Sequence, residues 1–184
     1  MSSDKMPYGW GWVNKLPGNS NTRAFLASMI VIGVVCVPKF IMESNKKQGH
    51  GYFDNEMPEL RVSGGSEHMA RRVRDWLKKR AKDEVAFKAK KFSSLLNREI
   101  NSVSVRDTRT RWGSCSSSGN LSFCWRLIFA PEKIVDYVCA HEAAHLVELN
   151  HSPKFWQVVH QLVGEWKSSK KWLKENGVRL HRYG

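Results

Sequence analysis

The chain has 184 residues, of which 41% are hydrophobic and 11% aromatic, and it carries a formal net charge of +13. This apolar content is sufficient for a core, so the composition excludes a wholly disordered chain and fits one compact domain better than several. The sequence has no glycine period, 4 cysteines without a C-x-x-C pair, and a single long apolar run. Collagenous, disulfide-scaffold and multi-span membrane classes are therefore excluded.

The first 65 residues differ in character from the rest. Residues 1–23 are rich in Gly, Pro, Asn and Ser, which predicts an irregular N-terminus. Residues 24–42 (Ala24–Met42) form an apolar segment, which we interpret as a candidate membrane anchor, with a cleaved signal peptide as the less favoured alternative. Its uncharged part would cover only about 21 Å as a helix, against a hydrocarbon core of about 30 Å. The polar residues 43–65 predict a linker, so we expect the folded domain over residues 66–184.

After residue 65 the pattern predicts one helix, two strands and then three further helices. Apolar residues at helical spacing predict a helix from Ser66, as N-cap, to about Leu96. Alternation predicts strands around Val103–Val105 and over Leu121–Leu127, the second of them preceded by a turn at 116–120. Further helices are predicted from Pro131 to about Leu149, from Ser152–Pro153 to Val163, and from Glu165 to Asn176, where Gly177 would cap the last one.

The positive charge is concentrated in this second part of the chain. Between Arg71 and Arg111 basic residues greatly outnumber acidic ones, over the first predicted helix and the strand after it. Such a face is suited to contact with a polyanion. A solvated helix face, with Lys and Arg stems lying over apolar neighbours, is the alternative interpretation.

The most informative motif is His141-Glu142-Ala143-Ala144-His145 on the predicted second helix. Two histidines four residues apart lie on one helix face, so both imidazoles can bind one metal ion. Glu142 would then act as general base on a water held by that metal, in the manner of zinc hydrolases. Histidine ligands favour Zn²⁺, which we take as the cofactor. The alternative is a chance pattern whose histidines only pack.

A catalytic zinc needs a third protein ligand. His151 is the preferred candidate, because Asn150 before it tolerates the left-handed conformation that would end the helix and turn the chain back. His160 is the alternative third ligand. Glu148 stands where the metzincin pattern H-E-x-x-H-x-x-G-x-x-H has Gly. On a straight helix it lies too far from His141 to bind the same ion. It is better placed to support a ligand imidazole.

A peptidase also needs a place for its substrate. An extended peptide can add to an exposed strand edge, and Leu121–Leu127 is our candidate edge. Candidates for stabilising an oxyanion are Asn150, Arg126 and Tyr137.

Several segments together resemble a known family. They are TRWGSCS at 110–116, LSF at 121–123, WRL at 125–127 and HEAAHLVELNHSPKFW at 141–156. From about Glu59 to the C-terminus the chain is similar to the YgjP-like metallopeptidase domain. The resemblance implies a small zincin-like α+β domain related to SprT-like and WLM peptidases, with helices packed on a short antiparallel sheet. It also implies His141, His145 and His151 as zinc ligands and Glu142 as catalytic base. Family members usually begin with a basic, strand-rich segment, where this chain has its apolar extension.

The sequence thus predicts a zinc-dependent peptidase acting on a peptide or protein. Alternatives are a metal-dependent nucleotide pyrophosphate hydrolase, and a basic nucleic-acid-directed binding module. The sequence has Asn-x-Ser glycosylation patterns at Asn120 and at Asn150. In a secreted protein a glycan on Asn150 would lie beside the proposed ligand His151, so these patterns favour a cytoplasmic location, with or without a membrane anchor. The cysteines, which show no paired spacing, favour the same location.

Overall fold

The computed structural model describes residues 39–43, 52–54, 59–63 and 66–182, the first three of these ranges by their backbone. The chain divides into two compact units, residues 1–74 and 75–184. The predicted irregular segment 1–23 and most of the predicted anchor, residues 24–38, lie outside the described residues. Within the described ranges, no helix is both long and apolar enough to cross a membrane.

The first unit contains a three-stranded sheet. Its strands are β1 (Lys39–Glu43), β2 (Tyr52–Asp54) and β3 (Glu59–Ser63), in the order β1-β3-β2, with β1 parallel and β2 antiparallel to β3. The end of the predicted anchor therefore lies in β1, and the predicted linker contains β2 and β3. Strand β2 has only three residues, and the polar residues that suggested a linker separate the strands in the sequence. The predicted domain boundary at residue 66 stays a prediction.

The remaining elements are one long helix, three strands and three further helices. In chain order they are α1 (Met69–Leu95), β4 (Ser102–Arg106), β5 (Gly113–Cys115), β6 (Asn120–Cys124), α2 (Glu132–Ala144), α3 (Pro153–Val163) and α4 (Lys167–Leu180). Short 3₁₀ helices occupy Ser66–His68 and Trp125–Phe129. The predicted α+β class is confirmed, and α3 has the predicted bounds, with the Ser152 hydroxyl accepting a hydrogen bond from the Phe155 amide.

The sheet of the second unit has the order β4-β6-β5 and is mixed, whereas the sequence predicts an antiparallel one. Strands β5 and β6 form an antiparallel hairpin through the predicted turn, in which Gly119 has a φ of 75°. The chain crosses from β4 to the far edge before this hairpin, so β6 returns between the two and pairs parallel with β4. The strand predicted over Leu121–Leu127 is therefore central.

Among the predicted boundaries, the end of the second strand and the end of the last helix are wrong. Strand β6 ends at Cys124, and Trp125–Phe129 form a 3₁₀ helix in which Trp125, Arg126 and Leu127 are all buried. Burial of consecutive residues is incompatible with a strand that has one wet face. Helix α4 continues through Gly177 to Leu180. Gly177 meets a packing requirement instead of capping the helix, because a Cβ there would lie 3.1 Å from Trp112 Cζ2.

The core of the second unit lies between the helices and the sheet. One stripe of α1 is buried, as the helical spacing predicts, at Leu77, Ala81, Val85, Ala89 and Phe92.

An ion cluster joins α1 to α2: Lys88 Nζ lies 2.7 Å from Asp136, 3.0 Å from Glu132 and 3.2 Å from Glu84. Although burial alone lowers the pKa of Lys88, these hydrogen bonds outweigh it and raise the pKa, so the buried ammonium stays charged. This cluster fixes the helix that carries the histidine motif.

Candidate metal centre and active site

The structure brings His141, His145 and His151 together. Their ligating atoms all lie within 4.8 Å of one another, and Nε2 of His141 lies 3.0 Å from Nε2 of His151. His141 and His145 come from the last turn of α2 and its C-cap, and His151 from the loop before α3. His160, the alternative third ligand, lies on α3, is exposed, and is not part of the cluster. The spacing predicted which histidines would meet.

The turn that brings His151 back differs from the predicted one. Helix α2 ends at Ala144, before the predicted end at Leu149, and His145 is its C-cap. The amides of Leu146 and Val147 bond to the carbonyls of Ala143 and Ala144 at 3.0 Å, which tightens the last turn. Among non-glycine residues of the described ranges, only Asn97 has a positive φ. Asn150 therefore does not use the left-handed conformation that the sequence suggested.

Glu148 supports a histidine through its backbone. Nδ1 of His145 lies 3.1 Å from the carbonyl oxygen of Glu148, which can accept a hydrogen bond from a protonated Nδ1 and leave Nε2 free as a ligand. The sequence predicts a supporting role for Glu148, and the contact is made by its carbonyl and not by its carboxylate. This support should survive replacement of the Glu148 side chain.

One aromatic ring underlies all three histidines. Phe155 is fully buried on α3, and its ring centroid lies 4.8 Å from His141, 4.5 Å from His145 and 4.7 Å from His151. Because it touches each imidazole, this ring restricts the orientations that the imidazoles can adopt and closes one side of the cluster to water. Trp156 adds a second aromatic wall, 5.7 Å from both His141 and His151.

The electrostatics favour the neutral form of His141 and His145. Burial, followed by the neighbouring His145 and His151, lowers the pKa of His141 to about 3, and burial also lowers the pKa of His145. Neutral imidazoles are the form that binds metals. The 3.0 Å between two ring nitrogens is close to the separation of about 3.3 Å expected for two nitrogens on one tetrahedral zinc. The three histidines therefore fit a divalent cation such as Zn²⁺.

The carboxyl group of the motif is buried beside the sheet. Glu142 is 6% exposed, and a Cβ built on Gly113 would lie 2.4 Å from its Oε1, so the side chain occupies space that only a glycine of β5 leaves open. Burial raises the pKa of Glu142 to about 8, and the nearby Arg111 guanidinium opposes this shift. Glu142, which follows His141 in the sequence, therefore has a strongly desolvated carboxyl group.

The three oxyanion candidates are placed differently. Tyr137 is buried on α2 one turn before His141, with its ring centroid 6.0 Å from that of His141. Burial, assisted by the charge of Glu142, raises the pKa of Tyr137 to about 12, so its phenol remains a proton donor. Arg126 is buried and forms an ion pair with Asp107, whereas Asn150 is exposed. Tyr137 is therefore the candidate that combines proximity to the cluster with a retained proton.

The strand edge beside the cluster is not the predicted one. Strand β6 pairs on both sides, so Leu121–Leu127 cannot accept another strand. In the sheet of the second unit β5 is an edge strand, and its Gly113 is the residue against which Glu142 lies. Strand β5 has three residues with no alternating apolar pattern, which is why sequence reasoning missed it.

Gly113 and Phe155 are site residues that sequence reasoning did not assign. Both lie in the segments that carry the family resemblance, TRWGSCS and HSPKFW, and this is the signal that was available. Their roles depend on contacts across the fold, between β5 and α2 and between α3 and the histidines, and no spacing in the sequence encodes such contacts.

The comparisons with known proteins identify the family of the chain. The family model described as "YgjP-like, metallopeptidase domain" matches residues 38–176, which is well over half of the chain. The chain belongs to the YgjP-like metallopeptidase domain family. Metal-dependent peptide hydrolysis is accordingly the class of activity that the family supports for this YgjP-like chain. The match begins at residue 38, so it includes the first sheet, which the sequence interpretation left outside the domain.

The YgjP-like chain was also compared with curated proteins and with solved structures. None of the curated proteins compared with it matches. Among solved structures, it is similar to the crystal structure of the metallopeptidase zymogen of Pyrococcus abyssi abylysin, with 19% identity and a TM-score of 0.44. That similarity covers 50% of this chain and 93% of the other one.

The histidine cluster leads to a direct prediction on metal content. We expect purified wild-type protein to hold about one zinc ion per chain and His151→Ala to hold much less, because two protein ligands retain zinc poorly. The measurement is elemental mass spectrometry after desalting. His160→Ala is the matched control and should keep wild-type zinc. Equal zinc in His151→Ala and wild type would show that His151 is not a ligand.

Proposed function

We propose that the protein is a zinc-dependent peptidase in which His141, His145 and His151 hold the metal and Glu142 is the general base. The observation that carries the proposal is the convergence of three imidazoles beside the buried carboxyl group of Glu142. Membership of a metallopeptidase family supports the reaction class. The zinc ion and the role of Glu142 are our inference from the chemistry of these groups.

The bound zinc would polarise the peptide carbonyl and lower the pKa of a coordinated water. The chain's own residues then divide the remaining work. Glu142 accepts the proton of the attacking water and returns it to the leaving amine. The carbonyl of Glu148 fixes the His145 tautomer, Phe155 holds the imidazole rings, and the Tyr137 phenol is the nearest candidate donor to the developing oxyanion.

Strand β5 is our proposed site for the peptide backbone. It is an edge strand of its sheet, so its outer N–H and C=O groups can pair with an extended substrate. Gly113 of this strand is in contact with Glu142, and a peptide added to β5 would run close to the proposed base. This arrangement replaces the edge that the sequence suggested at Leu121–Leu127.

The test compares two substrate classes on one zinc-loaded preparation. We expect cleavage of casein or a mixed peptide library, loss of cleavage with a chelator, and recovery when zinc is restored. Nucleoside triphosphates should not be hydrolysed above the rate of a chelated sample. Chelator-sensitive nucleotide hydrolysis without peptide cleavage would replace the proposal with a nucleotide hydrolase. Absence of both activities in a zinc-loaded, folded sample would reject it as an enzyme.

A further inference from the structure

The ammonium group of Lys170 lies beside the histidine cluster. Lys170 Nζ on α4 lies 4.5 Å from the ring centroid of Trp156 and 5.6 Å from that of Trp166. The two tryptophan rings stack at 4.1 Å, and the Trp156 ring is 5.7 Å from those of His141 and His151. Cation–π attraction to both rings favours this position of the ammonium group over free movement in solvent. The charge is near enough to contribute to the lowered pKa of His141.

Lys170 is exposed, so a ligand from solvent can reach it. Among the described residues, no carboxylate lies within 4 Å of its ammonium group. Its neighbour Lys171 pairs with Glu175. The acid closest to Lys170 on the N-terminal side, Glu165, accepts hydrogen bonds from the amide and hydroxyl of Ser168. The ammonium group of Lys170 is therefore positioned by aromatic rings, lies next to a candidate catalytic centre and has no counter-charge from the described part of the chain. Such a group is available to bind an anion from a substrate.

The surroundings of Lys170 also favour a negatively charged ligand. Arg111 lies near Glu142 on the β5 side of the site, and Glu142 itself is buried. The half-exposed Trp156 and Trp166 offer an apolar wall for the methylene groups of a side chain whose charged end reaches Lys170. A carboxylate on a short aliphatic stem matches both features, whereas a basic side chain would be repelled.

We propose that Lys170, held on the Trp156–Trp166 stack, is a specificity residue that binds a carboxylate of the peptide substrate. This inference rests on the proposed function, because it concerns the substrate of the same site. The carboxylate comes from an Asp or Glu side chain or from the peptide C-terminus, and these two sources are chemically equivalent at Lys170.

Equilibrium binding tests the inference independently of turnover. The probes are fluorescein-labelled octapeptide libraries in which one position is fixed as Glu, Gln or Lys and the C-terminus is free or amidated. Fluorescence anisotropy is measured on zinc-loaded protein carrying Glu142→Gln, so that cleavage does not consume the peptide. We expect a Kd about fivefold lower for the Glu library than for the Gln library at low salt, and a smaller ratio at high salt. If the free C-terminus is the source, the free-acid libraries bind better whichever residue is fixed.

A charge reversal with a matched neighbour provides the control. Lys170→Glu should remove the preference for carboxylate and favour the Lys library, whereas Lys171→Glu, an equal change of charge one residue away, should leave the preference intact. A carboxylate preference that survives Lys170→Glu, or equal Kd values for all libraries in the parent protein, would overturn the inference. Peptide cleavage by wild-type protein is measured separately, so loss of the proposed function and loss of this specificity give different results.

Discussion

Replacing Glu142 by Gln is expected to reduce peptide turnover by a factor of about 10³, within the range attributed to general acid–base catalysis, while zinc content and fold stay unchanged. Glutamine has nearly the shape of the glutamate that it replaces, so it can fill the buried space between α2 and Gly113. It cannot accept a proton from water, and the described neighbours Arg111 and Tyr137 offer no second carboxylate to do so. The loss should therefore appear in kcat.

The measurement is steady-state cleavage of a fluorogenic peptide, with zinc content and thermal unfolding recorded on the same samples. Glu148→Gln is the matched control, because it makes the same chemical change and keeps the carbonyl that supports His145. This control should retain activity close to that of wild type. Retention of more than a tenth of wild-type kcat by zinc-loaded Glu142→Gln would assign the base to another group.

Gly113→Ala is expected to have the second-largest effect, a loss of peptide turnover of about 100-fold. The new methyl carbon would stand 2.4 Å from Oε1 and 2.6 Å from Cγ of Glu142, so either the carboxyl group or strand β5 must move. A displacement of about 1 Å at a catalytic group is enough for such a loss. Overpacking of this kind also destabilises a fold by about 1–3 kcal/mol, so the melting temperature should fall.

A double-mutant cycle separates this contact from a general effect on the strand. In a Glu142→Ala background the atoms that the new methyl group would meet are gone, so adding Gly113→Ala should lower the melting temperature much less than it does in wild type. Zinc content should stay near one ion per chain in Gly113→Ala, because the histidines are unchanged. Equal destabilisation in both backgrounds would show that the contact with Glu142 is not the reason for glycine.

Much of the secondary structure could be predicted because its signals are local. The buried stripe of α1, the turn before β6 and the Ser152 cap of α3 follow from periodicity and capping chemistry within a few residues. The errors arose where longer-range packing overrides a local pattern. Trp125–Phe129 continues the apparent alternation of β6, yet it forms a 3₁₀ helix. Gly177 resembles a helix cap, yet it makes room for Trp112.

By itself, the sequence determined which residue types are available for the proposed chemistry. The spacing of His141 and His145 places both on one helix face whatever surrounds them, because helix geometry is local. The tertiary structure decided what makes this constellation a site. It set Phe155 beneath the imidazoles, Gly113 against Glu142, β5 at the open edge and Lys170 beside Trp156. These are contacts between different elements of the fold, and their free energy comes from packing, which no sequence interval specifies.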